Sequence, residues 1–391
     1  MSMEKKIGCV IAYNEGHNNY GTALVGYSLV KKISDLGYDC EIINYKKKLS
    51  IKQKIAFVIN AIRVGEAKEI YHRFTAKKIE QKYPHYAKGI AERTKAVNEY
   101  KSKKLIPLFR EHIGYQNLNE GSKKYKAVVV GSDQVWTPMS LPNKFFNLLF
   151  VDDNIPKIAY AASFGVSEIP AFQHKATGKY LDRFSSIGVR EQQGKIIVDT
   201  LSNKVARVVA DPTLLLSREE WETEIADARP KEKDPYIFCY FLGDNQESRS
   251  AVNSLKQKTG YKIITIRHMD EYVAEDESFG NEAPYFVDPN DFVKYISNAT
   301  YVCTDSFHCT IFSIIFHRQF MTFYRFANAS KTSRNSRIDS LFDVLKIERE
   351  RIFNGDICSV IDNKIDYYAV EIKLNEIRND SLNYLSNALR V

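Results

Sequence analysis

Short apolar runs that end in polar residues, separated by helical stretches, recur along this 391-residue chain and leave few folds open to it. The first run is Ile7-Gly8-Cys9-Val10-Ile11-Ala12-Tyr13. A polar loop (14–21), an amphipathic helix (22–36) closed by Gly37 and a second strand (40–44) follow. Two strands joined through a helix need a crossover, and a crossover implies parallel pairing. Strand patterns resume at Ala127-Val128-Val129-Val130, 158–160, 187–189 and 205–210, with helices at 171–184 and 192–201. Asp211-Pro212-Thr213 breaks the alternation, and the charged, proline-flanked segment 229–235 reads as a connector. A second alternation then begins: strands at 236–241, 262–266, 301–304 and 320–324, and helices at 248–259, 290–298 and 309–317.

The pattern predicts an α/β protein of two Rossmann-like, doubly wound domains facing a cleft. The boundary is placed near residue 215. The first domain then covers 1–215 with a basic helical insertion near 46–126, completed by the last helix (366–391), and the second covers 216–365.

Composition narrows the function classes. Six cysteines are scattered, mostly within apolar runs, with no C-x-x-C pair, so they read as reduced thiols of a cytoplasmic protein. The start, Met1-Ser2-Met3-Glu4-Lys5-Lys6, leads into a strand rather than a signal-peptide core. No apolar run approaches the ~20 residues of a membrane span, so any membrane contact is expected to be peripheral, at the inner face. The eight histidines show no H-x-x-x-H spacing and no metal is expected; the glycine-rich signatures of dinucleotide and P-loop sites are lacking too, and no cofactor is implied. The net charge of +8 is uneven: between Lys46 and Lys126 stand 21 Lys and Arg against 7 Asp and Glu, leaving the remainder net acidic. Such a block suits solvated helix faces, an anionic surface or an anionic substrate; no nucleic-acid recognition motif accompanies it.

The candidate site residues lie where strands end, because ligands of open α/β sheets bind outside the carboxyl ends of the strands. Tyr301-Val302-Cys303-Thr304-Asp305-Ser306-Phe307-His308 runs from strand into helix, placing a carboxylate, a hydroxyl and an imidazole beside an anion-friendly helix N-terminus. An imidazole suits proton transfer near neutral pH. Val130-Gly131-Ser132-Asp133-Gln134-Val135-Trp136 ends another strand, offering Ser132, Asp133 and Gln134 as polar groups and Trp136 as a sugar-stacking or buried ring. The loop Asn18-Asn19-Tyr20-Gly21 closes the first strand. Arg190 in Val189-Arg190-Glu191 has the bidentate fork that binds phosphate or carboxylate, or pairs with Glu191. Arg334 and Arg337 form a further basic cluster ahead of a helix.

In order along residues 7–345, these segments resemble the polysaccharide pyruvyl transferase family. The matching pieces are Asn19-Tyr20-Gly21, the segment 130–136, Ala159-Tyr160-Ala161-Ala162-Ser163-Phe164-Gly165, Val189-Arg190-Glu191, Ala210-Asp211-Pro212-Thr213, Thr304-Asp305-Ser306-Phe307-His308 and Asn335-Ser336-Arg337-Ile338. The resemblance implies a GT-B-like fold and transfer of a pyruvyl group from phosphoenolpyruvate onto two hydroxyls of a sugar, as a cyclic ketal. It implies donor-binding or catalytic roles for Arg190 and His308. Ser306 stands where many members have Arg, and Cys309 where they have Gly, so Arg337 or Arg334 is expected to supply that charge. On this scheme His308 is the general acid/base with Asp305 beside it, Arg190 and Arg337 clamp the donor, and Asp133 positions or deprotonates a hydroxyl. Ser132, Ser306, Gln134, Trp136, Asn19 and Tyr20 complete the expected substrate contacts. The acceptor is expected to be a sugar, linked to lipid pyrophosphate at the membrane face. Lys46, Lys47, Lys48, Tyr71, Arg73, Lys77 and Lys78 would then face anionic headgroups. The competing readings are a glycosyltransferase using a nucleotide-sugar donor and a non-catalytic binding module of the same fold.

Overall fold

The computed structural model describes residues 6–13, 18–47, 50–66, 78–269, 271–325 and 335–390. Two parallel sheets carry the chain. The first holds seven strands: β1 (Lys6–Val10), β2 (Asp39–Lys46), β3 (Phe109–Ile113), β4 (Ala127–Val130), β5 (Lys157–Ala162), β6 (Ser186–Val189) and β7 (Arg207–Val208), in the order β3-β2-β1-β4-β5-β6-β7. The second holds β8 (Tyr236–Tyr240), β9 (Lys262–Thr265), β10 (Tyr301–Thr304) and β11 (Gln319–Thr322), in the order β11-β10-β8-β9. Every pairing is parallel. The central strands are wholly apolar and buried, as Ala127–Val130 and Tyr236–Tyr240 show, because helices cover both faces. This is the α/β, GT-B-like class that the alternation and the resemblance implied.

In each sheet the strand order reverses beside the first strand: between β1 and β4, and between β8 and β10. Those reversals are the topological switch points where open α/β sheets hold ligands. The four loops after these strands are therefore the ones the fold singles out.

β3 lay inside a stretch whose sequence reads as helical. It is an edge strand, Phe-Arg-Glu-His-Ile, and its charged residues are partly or fully exposed. Edge strands carry charge to avoid pairing with other chains, which erases the apolar signal of a strand. The basic segment is thus part of the sheet as well as a helical region. Its long helix Pro84–Lys104 does not lie free in solvent either. Arg93, buried, donates from Nε to the Tyr285 carbonyl (2.7 Å) and from Nη2 to the Pro284 carbonyl (3.2 Å), and Tyr86 donates to the Met269 carbonyl (3.1 Å). Of the residues expected to face headgroups, Lys48, Tyr71, Arg73 and Lys77 lie outside the described residues.

One apolar core runs from β1 and α1 (Tyr20–Asp35) into the second sheet. Tyr20 stacks on Phe292 at 4.6 Å and donates its hydroxyl to the Val287 carbonyl at 3.0 Å. The C-terminal helix Tyr367–Leu389 crosses back: Tyr384 donates to the Ala159 carbonyl (2.9 Å), Ser381 Oγ accepts from the Ala210 amide (2.9 Å), and the Leu389 carbonyl accepts from Tyr38 (3.0 Å). Among the described residues, no helix is long and apolar enough to cross a membrane.

Candidate active site in the cleft between the sheets

The switch-point loops of both sheets converge on one polar cleft of about 510 Å³. The loop after β1 contributes Tyr13 and Asn19, the loop after β4 Asp133 and Gln134, the loop after β8 Leu242, and the β10–helix junction Asp305, Ser306 and His308. His268 and Arg325, which follow β9 and β11, close the far side.

His308 opens the helix Phe307–Ile315, and its place depends on an absent side chain. A Cβ on Gly21, in the first turn of α1, would stand 2.1 Å from His308 Nδ1. Glycine at that position lets the imidazole lie against the helix. On the other edge of the ring, Nε2 is 3.7 Å from Asp211 Oδ2, within ion-pair range but too long for a hydrogen bond. Nε2 itself is buried and has no hydrogen-bond partner.

Asp211 is the hub beneath His308. Its Oδ2 accepts from Arg190 Nη1 at 3.0 Å and from Ser132 Oγ at 3.4 Å, while Oδ1 accepts from the Thr213 amide and hydroxyl at 3.0 and 2.8 Å. Burial alone would raise its pKa; His308, Arg190 and the Thr213 amide outweigh that and hold the carboxyl well below the usual range. Arg190 is buried; Nε and Nη2 make no hydrogen bond, though Nε lies 3.6 Å from Glu191 Oε2, the ion pair its sequence neighbour allowed. Burial works against its charge, but Asp211, Glu191 and Asp133 hold it protonated. Its guanidinium lies 4.8 Å from the centre of the Phe307 ring, and that of Arg337 lies 5.3 Å from the same centre.

Asp133 has φ 83°, a left-handed backbone tolerated best by glycine, asparagine and aspartate. The turn aims its carboxylate at α1, where Thr22 Oγ1 donates to Oδ2 at 2.7 Å, and its own following amide, Gln134, donates to Oδ1 at 2.8 Å. Burial pushes its pKa up, yet Arg190, His308 and these bonds bring it below the ordinary value. Asp133 is therefore an ionised, weakly basic group, suited to orienting and to electrostatics more than to removing a proton.

Several expected contacts take other places. Asp305 does not orient His308: its Oδ1 accepts from the Leu242 amide (2.6 Å) and its Oδ2 from the Gly243 amide (2.8 Å), tying the ends of β8 and β10 together. Burial raises its pKa against the pull of Arg325 and those amides. The carboxylate beside the imidazole is Asp211 instead. Trp136 does not stack on a ligand. It is 3% exposed, packs among Phe164, Tyr180 and Phe184, and donates Nε1 to the Phe146 carbonyl. Tyr20 is fully buried between the two sheets and Ser132 is buried on Asp211, so neither reaches the cleft. Ser306 borders the cleft, but its Oγ caps the helix by accepting from the Cys309 amide at 3.4 Å. Asn19 likewise caps α1, accepting from the Thr22 amide. Arg334 lies outside the described residues. Arg337 borders the cleft and also a second, mostly apolar cavity of about 510 Å³ that Arg190 lines; Phe307 separates the two. Arg190 thus approaches the site from below and is not part of the cleft wall.

Asp211 was visible in the sequence only as a pattern-breaking Asp-Pro and as one piece of the resemblance. Thr22, His268 and Arg325 carried no signal at all, because each reaches the cleft by tertiary placement alone. Among the described residues, no group of three His, Cys, Asp or Glu could hold a metal ion.

A model of the family described as polysaccharide pyruvyl transferase matches residues 19–325. No curated protein matches the sequence. Among solved structures, Arabidopsis thaliana UGT89C1 complexed with UDP-L-rhamnose is similar at TM-score 0.50 and 8% identity, over 99% of each chain. A Neisseria meningitidis UDP-GlcNAc 2-epimerase bound to UDP-GlcNAc gives TM-score 0.48 at 9% identity, over 97% of this chain and 99% of that one. At such identities the first likeness is one of fold alone.

Proposed function

The chain belongs to the polysaccharide pyruvyl transferase family, and from that membership we propose that it moves a pyruvyl group from phosphoenolpyruvate onto two hydroxyls of a sugar in a cell-surface polysaccharide precursor. The observation that carries the reading is the arrangement of Asp133 and His308 in a polar cleft fed by both sheets, with Asp211 and Arg190 buried behind them. Phosphoenolpyruvate is a trianion when fully ionised. It needs fixed cations and helix-end N–H groups, and Arg337 with the N-terminus of the helix Phe307–Ile315 borders the cleft.

Ketal formation must put a proton on the enol methylene carbon, join two hydroxyl oxygens to the adjacent carbon and expel phosphate. One hydroxyl proton ends on the new methyl group and the other on the departing phosphate, so charge and atoms balance. In this reading His308 shuttles the first of these: protonated, it delivers to the methylene carbon, then recovers a proton from the attacking hydroxyl. Asp211 is its positioning residue and Asp133 balances its charge. Arg190, paired to Asp211 and stacked near Phe307, holds the aromatic floor and lends positive potential to the anion.

Thermal-shift titration separates the donors. Phosphoenolpyruvate is expected to raise the melting temperature by mass action, and UDP- and CMP-sugars are not. The reverse pattern would favour a glycosyltransferase.

A further inference from the structure

The helix α2 (Ile51–Arg63) presents its apolar side to solvent. Ile51, Ile55, Val58, Ile59 and Ile62 recur at the three- and four-residue spacing of one helix face, and all five are exposed, Ile51 by 77% and Ile62 by 60%. The side turned toward the protein carries Phe57, half-buried, and small and polar groups. Ala61 is buried, Asn60 Nδ2 donates to the Pro138 carbonyl at 3.2 Å, and Gln173 Nε2 donates to Asn60 Oδ1 at 2.9 Å. This reverses the usual surface helix, whose apolar face turns inward.

The helix itself carries charge of one sign. Lys52, Lys54 and Arg63 are exposed, Lys47 precedes the helix, and no Asp or Glu occurs from 46 to 65. Arg63 lies 4.0 Å over the ring of Phe172, itself exposed, which extends the apolar strip at the helix's end. A second copy of the same face would set these cations against one another, so the surface calls for an anionic partner that also accepts apolar side chains along about 20 Å of helix.

We propose that α2 docks the protein on an anionic lipid surface, lying in the interfacial plane with its isoleucine face among the acyl chains and its lysines at the headgroups. The helix is close in the chain to the cleft: Lys47 lines the cleft four residues before α2 begins, and Val135 of the cleft is three residues from Pro138, which anchors Asn60. The inference stands apart from the reaction proposed above, because binding is read without turnover.

The test is co-sedimentation of the full chain with vesicles of phosphatidylcholine containing phosphatidylglycerol, against vesicles of phosphatidylcholine alone. The parent is expected to pellet with the anionic vesicles, less so at high salt. The double variant Ile55→Glu/Ile59→Glu should weaken that partition about tenfold or more. Lys52→Glu/Lys54→Glu should weaken it too, and it decides the matter if the isoleucine variant proves misfolded by circular dichroism. Absence of binding to the anionic vesicles, or binding unchanged in the folded variants, overturns the proposal. So does a dimer of the parent that Ile55→Glu/Ile59→Glu converts to monomer.

Discussion

At the scale of single residues, the site is set as much by what is missing as by what is present. Gly21 has no Cβ, and His308 occupies the space a Cβ would take. Gly21→Ala should therefore keep or improve the helix α1, since alanine is the better helix former, while pushing the imidazole off its seat. The expected outcome is unchanged far-UV circular dichroism with turnover reduced on the order of 100-fold, the scale of loss that a misplacement of about 1 Å can cause. Asp211 is the complementary case. Replacing it by Asn removes the carboxylate hydrogen-bonded to Arg190 and leaves only Glu191 and Asp133 to balance it; the cost should be about 1–3 kcal/mol, read as a lowered urea midpoint at neutral pH. His308 was legible in the sequence because it sits at a strand–helix junction. Its true neighbour was not: Asp211 is 97 positions away along the chain, and sequence spacing favoured Asp305, only three residues from it. Trp136 misled for a related reason. A ring beside a polar loop looks available to a ligand, and only packing shows that Phe164, Tyr180 and Phe184 enclose it.

Among elements, the buried strands were readable and the edge strand was not. Ala127–Val130 is unmistakable as an apolar run, whereas β3 carries Arg110, Glu111 and His112 and was absorbed into a helical reading. β3 and its neighbour β2 are joined by charge as well as by the ladder. Glu41 on β2 is buried, accepts from Arg110 Nε (3.0 Å), Lys6 Nζ (2.8 Å) and the Tyr125 hydroxyl (2.9 Å), and pairs with Lys124. Burial opposes its ionisation, but Lys124, Lys6 and Tyr125 prevail and bring its pKa down to about 2. A carboxyl whose folded pKa is depressed adds stability above its unfolded value, near 4.3, and loses it as pH falls through the folded one. Glu41→Gln should thus be less stable than the parent by about 2–3 kcal/mol at neutral pH. Chemical denaturation at a series of pH values should show that gap closing between about pH 4 and pH 2.

For the molecule as a whole, alternation of strand and helix gave the class of fold, and strand ends gave the neighbourhood of the cleft. Sheet order could not be read, because nothing local says that β1 lies between β2 and β4. Nor did the charge excess of the basic segment disclose its uses: Arg93 fastens the helix Pro84–Lys104 to the loop at 284–285 between β9 and β10, while Lys52, Lys54 and Arg63 flank an exposed apolar stripe. The consequence of the whole architecture is that four switch-point loops from two sheets meet over His308. The most direct test is mass spectrometry of acceptor sugars, lipid-linked and nitrophenyl, incubated with phosphoenolpyruvate and either the parent or His308→Ala. The parent is predicted to yield an acceptor heavier by one pyruvate less one water, with one phosphate released per product, and the variant to lose on the order of 100- to 10,000-fold in rate. Near-parental turnover by His308→Ala, or sugar transfer from a nucleotide sugar with no pyruvyl product, would contradict the account.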